Sequence, residues 1–88
     1  MTILELNIHP ATADTCSQAH VSIDGKEYLV LGSTNGSVTV LTGAWITNRR
    51  ALGRTYWSAA ALLAAYKRHG AILLEYAERM VTWKGDVR

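Results

Sequence analysis

Along the first half of the chain, apolar and polar residues alternate with a period of two. Leu4, Leu6 and Ile8 are separated by Glu5 and Asn7, which predicts a strand over Thr2–Ile8 with one buried face, stopped by Pro10. Residues 11–18 are small and polar without periodicity and read as a loop, long enough that the first strand need not pair with the second. Alternation returns at 19–23, with Ala19, Val21 and Ile23 on one face and His20 and Ser22 on the other. Asp24-Gly25 follows at once, and Asp-Gly supplies the positive φ angles of a type I′ turn, so a hairpin into Lys26–Leu31 is predicted. Gly32–Gly36 reads as a second turn, and Ser37–Thr42 as a third meander strand with Val38 and Val40 on one face. Gly43 and Ala44–Thr47 continue that strand past a bulge or begin another. Asn48–Arg50 reads as a turn and Ala51–Trp57 as a final short strand.

At Ser58 the period changes to 3.6. Ser58 is a good N-cap, and Ala59, Leu62, Leu63 and Tyr66 fall on one helix face. Lys67-Arg68-His69 suits a helix C-terminus, with Gly70 either at C′ beyond it or as a costly interior residue of a longer helix. A second helical run carries Leu73, Tyr76, Ala77 and Met80 on one face, and the chain frays after Trp83. The fold class expected is α+β: an antiparallel meander of three to five strands followed by one or two C-terminal helices packed on one face. Residues 1–57 would be mainly β, 58–82 helical and 83–88 a tail.

Composition narrows the picture. An 88-residue chain can bury one core, and 49% apolar with 18% charged residues is an ordinary globular composition, so one domain, 1–88, is expected. The single cysteine, Cys16, excludes an intrachain disulfide and a thiolate-built zinc site, in keeping with a reducing compartment. There is no basic segment leading an apolar run at the N-terminus and no stretch near the length of a membrane helix, so a cytoplasmic protein without a membrane partner is expected. Net charge is only +2, but its distribution is uneven. Between Glu27 and Glu75 the only charged side chains are Arg49, Arg50, Arg54, Lys67 and Arg68, which leaves the centre of the chain with uncompensated positive charge.

Candidate chemistry is sparse. His9, His20 and His69 fall in three elements with no metal-binding spacing, and we read them as surface or capping residues; no metal and no cofactor is implied. A nucleophilic Cys16 would need His20 to activate it, and an oxyanion site and cleft besides; an incidental loop cysteine needs nothing further. No P-loop, GxSxG or GxGxxG is present, and the chain reads as a binding protein, not an enzyme. The cluster that stands out is Trp45, Arg49, Arg50, Arg54, Tyr56 and Trp57, extended by Lys67 and Arg68 on the helix. Arginine and aromatic residues are enriched at protein interface hot spots and also make the stacking and phosphate contacts of nucleic-acid surfaces. The competing reading puts Trp45 and Trp57 in the core, since the chain has no phenylalanine to fill it.

Arg49–Tyr66, RRALGRTYWSAAALLAAY, resembles the last strand and helix of AP2-type DNA-binding domains. The matching positions are Arg50, Leu52, Gly53, Thr55, Ser58, Ala60, Ala61, Ala64, Ala65 and Tyr66, about a fifth of the chain. The earlier hairpin Val21–Leu31 departs from that family, having no arginine to offer DNA bases. In size and style the whole chain also resembles the small phage-encoded inhibitors of the anti-CRISPR type: a few strands, one or two helices and no catalytic motif. That resemblance implies a cytoplasmic inhibitor in a bacterial host cell, monomer or homodimer, docking on a host protein complex such as a CRISPR-Cas effector. The alternatives are a small DNA-binding domain using Arg49, Arg50 and Arg54, and a self-assembling phage structural component.

Overall fold

In a computed structural model of the chain, residues 2–10, 17–33, 36–42 and 54–80 are described. They form five strands, β1 (Ile3–His9), β2 (Ser17–Ile23), β3 (Lys26–Gly32), β4 (Val38–Thr42) and β5 (Arg54–Tyr56), and two helices, α1 (Ala59–Ala65) and α2 (Gly70–Met80). The strands make one antiparallel sheet in the order β1-β2-β3-β4-β5, an up-and-down meander in which each strand pairs with its neighbours in sequence. The expected α+β architecture is the one found.

Local chemistry accounts for the best-defined turns. Asp24 and Gly25 adopt φ of 51° and 85°, the left-handed pair that a two-residue hairpin needs, and β2 and β3 pair in unbroken register from Ile23↔Lys26 to Ser17↔Gly32. At the other end of β3, Gly36 has φ 86°, and the Ser33 N–H donates to the Ser37 carbonyl at 3.0 Å. Ser58 caps α1: its extended backbone (φ −150°, ψ 157°) precedes the first turn, and Oγ accepts the Ala61 N–H at 3.2 Å. Alone, a seven-residue helix would be marginal, so α1 depends on what it covers.

What it covers, together with α2, is one face of the sheet. Val21 and Ile23 of β2, Val30 of β3 and Val38 and Val40 of β4 meet Leu62 of α1 and Leu73 and Ala77 of α2 in a single core, completed by Tyr28, Tyr56 and Tyr76. The aromatic share of this core comes from tyrosine. Trp57, expected there on one reading, is 45% exposed, and Trp45 and Trp83 lie outside the described residues. On the opposite face Leu29 and Leu41, cross-strand partners, are also buried (Leu41 is 1% exposed). The centre of the sheet is thus covered on both sides.

At β1 one question is decided and one expectation fails. The strand pairs with β2, from Ile3↔Ile23 to His9↔Gln18, a pairing the intervening loop left open. It does not bury a face: Ile3, Leu4, Leu6 and Ile8 are all substantially exposed. β1 is the edge strand, and a bulge between Glu5 and Asn7 inserts Leu6 as an extra residue and shifts the register, so that Ile3 and Ile8 take one face although five positions apart. A third point settles Gly70. It is neither a left-handed C′ residue nor interior, but the first residue of α2. Its N–H donates to the Tyr66 carbonyl at 2.7 Å, and an added Cβ would come to 3.4 Å from Leu63, the near edge of ordinary contact, so the position packs against α1 without demanding glycine.

Candidate functional site

The basic and aromatic residues picked out by composition are distributed as follows. Trp45, Arg49 and Arg50 lie outside the described residues. Arg54 opens β5 at the edge of the sheet opposite β1, paired with Val40 on the helix-covered face, and is exposed. Trp57 follows β5 and is exposed, while Lys67 and Arg68 stand exposed in the turn between α1 and α2. Tyr56 has to be corrected: at 7% exposure it belongs to the core, because pairing with Val38 directs it under the helices, and it cannot touch a partner.

Beneath these residues lies an aromatic floor. Tyr66, the C-cap of α1, meets Tyr28 and Tyr56 edge to face, with ring centroids 5.9 Å apart in both pairs. Burial, then a hydrogen bond with Tyr56, pushes the Tyr66 phenol well above its ordinary range, a shift that the charge of Arg54 opposes weakly. Tyr28 also meets His69 edge to face at 5.7 Å, and Lys26 Nζ lies 5.4 Å from the Tyr28 ring centroid, within cation–π range.

His69 is where the sequence reading missed most. It precedes α2 and its carbonyl accepts the Ile72 and Leu73 N–H groups, so its backbone does cap, but its ring is not on the surface: the residue is 7% exposed. The Tyr28 hydroxyl and His69 Nδ1 are 2.8 Å apart. The hydroxyl donates when the imidazole proton sits on Nε2 and accepts when it sits on Nδ1. Nε2 is buried, lacks a hydrogen-bond partner, and lies 3.6 Å from Asp24 Oδ2. Asp24 is held by β1: its Oδ1 accepts the Thr2 N–H at 2.8 Å, and its own N–H donates to the Thr2 carbonyl at 2.8 Å. That N–H contact, seconded by nearby His69 and Arg68, keeps the carboxyl below its ordinary value.

Tyrosine, histidine and aspartate in a row invite comparison with a nucleophile, its base and an orienting acid, but the electrostatics run the wrong way. Burial raises the Tyr28 phenol, which disfavours phenolate, and 3.6 Å is too long for an orienting hydrogen bond. The line instead ties β1, the β2–β3 turn and the helical hairpin together. Among the described residues no group of three or more His, Cys, Asp or Glu side chains is placed to hold a metal, and no helix is long and apolar enough to cross a membrane. Elsewhere, His20 Nε2 and Glu27 Oε1 make a surface pair at 2.9 Å, and Tyr76 donates to Glu5 at 2.7 Å, linking α2 to the edge strand.

What remains is a basic surface at one end of the fold. Among the described residues, none of Lys26, Arg54, Lys67 and Arg68 forms an ion pair. Lys26, Lys67 and Arg68 line one recess with Tyr28 and Tyr66, while Arg54 in β5 and Trp57 after it stand at the other end of the one-helix span that α1 provides. Comparison with known proteins returns no matching family model, no matching curated protein and no matching solved structure.

Proposed function

We propose that the chain is a non-enzymatic binding protein that docks on an acidic partner through this basic surface. Arg54, Lys67 and Arg68 would meet the partner's charges and Trp57 would supply the apolar anchor. The observation that carries the reading is a set of cations that form no ion pair among the described residues, with an exposed tryptophan one helix length away, since indole and guanidinium groups dominate interface energetics when a partner covers them. In its cellular setting this is the reading of a small phage or mobile-element inhibitor, acting in the bacterial cytoplasm on a host defence complex such as a CRISPR-Cas effector. The support for that setting is the small single-domain α+β architecture.

The test is affinity capture from bacterial lysate with and without nuclease, comparing the wild-type chain with the Arg54→Glu/Lys67→Glu/Arg68→Glu variant and with Trp57→Ala. All four residues are exposed, so the variants should melt as the wild type does. A stoichiometric protein complex that survives nuclease and is lost in the charge-reversed variant supports docking. Capture unaffected by the three glutamates refutes it. Recovery of nucleic acid alone moves the assignment to a DNA-binding domain, whose affinity should fall by about 0.9 log unit per log unit of salt for each phosphate neutralised.

A further inference from the structure

Between the start of β3 and the turn joining α1 to α2 lies a recess of about 250 Å³ lined by Lys26, Tyr28, Tyr66, Lys67, Arg68 and His69. We propose that it binds the dianion of a phosphate monoester. As the seat of the partner's anion, this deepens and rests on the docking reading above.

Three cations converge on one small concavity from two elements some forty residues apart in sequence, and their mutual repulsion is not relieved by any ion pair among the described residues. The acid closest to hand, Asp24, is turned to other work: Oδ1 accepts the Thr2 N–H and Oδ2 faces His69. An anion entering the recess would therefore find three cations with no ion pair to break among the described residues, Lys26 resting only on the face of Tyr28.

Rigidity is the second element. Tyr28 is held by the 2.8 Å contact with His69 Nδ1, and Tyr66 is wedged edge to face between Tyr28 and Tyr56, so the aromatic floor is fixed before anything binds. Fixed walls reduce the ordering cost of binding to the lysine and arginine side chains alone.

Size and shape then choose the ligand. At about 30 Å³ per water, the recess has room for roughly eight waters, below the usual range for a drug-sized molecule. A phosphate group fits with space for the carbon that bears it. A monoester carries a charge of about −1.5 to −2 and three strong acceptor oxygens, matching three converging donors. The singly charged diester of a nucleic-acid backbone is better served by an open groove that follows the strand.

The experiment is an amide-resolved NMR titration of the full chain with inorganic phosphate and with phenyl phosphate, ionic strength being held constant with sodium chloride. Saturable shifts confined to Lys26, Tyr28 and residues 66–69 are expected, with millimolar dissociation constants. Lys67→Met/Arg68→Met should weaken binding roughly tenfold or more, and Lys26→Met, on the other element, should weaken it as well. A serine-phosphorylated peptide that binds more tightly than phenyl phosphate, while its unmodified form does not bind, would identify a partner side chain as the source; equal affinity would identify a free ester. Unsaturable shifts spread over every exposed cation, wild-type affinity in both variants, or equal occupancy of these residues by duplex DNA would each overturn the proposal. Failure here with Arg68-dependent protein capture intact leaves docking standing. Phosphate binding without Arg68-dependent capture removes docking and keeps the pocket.

Discussion

Removing one oxygen atom tests the account of how the helical hairpin is held. Tyr28 is 2% exposed, and Phe in its place keeps the ring contacts to Tyr66 and His69 while deleting the hydroxyl that meets His69 Nδ1. The other imidazole nitrogen is already without a hydrogen-bond partner. Tyr28→Phe therefore leaves a buried ring with neither nitrogen satisfied. A buried polar group left unpaired costs about 1–3 kcal/mol, so we expect a loss of about 2 kcal/mol. For a domain of this size that is a fall in Tm of roughly 8–16 °C. Adding His69→Leu removes the stranded group itself, and the double variant should be more stable than the sum of the two single losses by about 1 kcal/mol. Urea unfolding followed by far-UV circular dichroism, with unchanged m values, measures all four corners of the cycle. A Tyr28→Phe protein within about 0.5 kcal/mol of wild type, or strict additivity in the double variant, would show that the hydroxyl–imidazole contact does not hold the hairpin.

Asp24 and Ser58 give two further expectations. Because the Asp24 carboxyl is held below its unfolded value, chiefly by the Thr2 N–H, its ionised form stabilises the fold above about pH 4, and that contribution is lost as pH falls through the depressed folded value. Asp24→Asn tolerates the same positive φ and keeps an amide oxygen for Thr2, so its deficit against wild type at neutral pH should close on acidification; a gap constant from pH 7 to pH 2 in denaturant titrations contradicts the electrostatic account. Ser58→Ala removes the Oγ that accepts the Ala61 N–H and should cost about 1 kcal/mol in urea unfolding, with Ser58→Asp recovering most of it. Equal losses in both variants would mean that the cap is not what starts α1.

Those parts of the fold encoded within a few residues were legible in the sequence. The Asp24-Gly25 pair demands left-handed backbone, and that demand alone sets the β2–β3 register; Ser58 caps a helix because its oxygen reaches one turn ahead. Alternation in β1 was equally visible and misleading. Period-two spacing says that successive side chains alternate, but it cannot say that a strand lies at an edge or that a bulge at Leu6 will move Ile3 and Ile8 to the same side. With no phenylalanine in the chain, composition points to tryptophan for the core aromatics, yet Trp57 is exposed. Tyrosine fills those places because each buried hydroxyl of Tyr28 and Tyr76 finds a polar partner at the rim of the helical layer, His69 for one and Glu5 for the other.

For the site, charge was the readable part and topology the unreadable one. A run without acids signals unpaired cations, and Arg54, Lys67 and Arg68 are exposed as such a run requires. Tyr56 carried no such signal, since a three-residue strand faces inward or outward according to its register against β4. Lys26 was hidden for a different reason. In β3, residues two apart share a face, so whatever packs over Tyr28 is brought beside Lys26. His69 packs there, 41 residues away in sequence, and in the three-residue turn from Lys67 to His69 it is the histidine that is buried while both cations stay exposed. Burying that histidine on Tyr28 thus carries Lys67 and Arg68 to the ring under Lys26. The positive recess is a consequence of how the helical hairpin is anchored, which is why neither composition nor spacing could have located it.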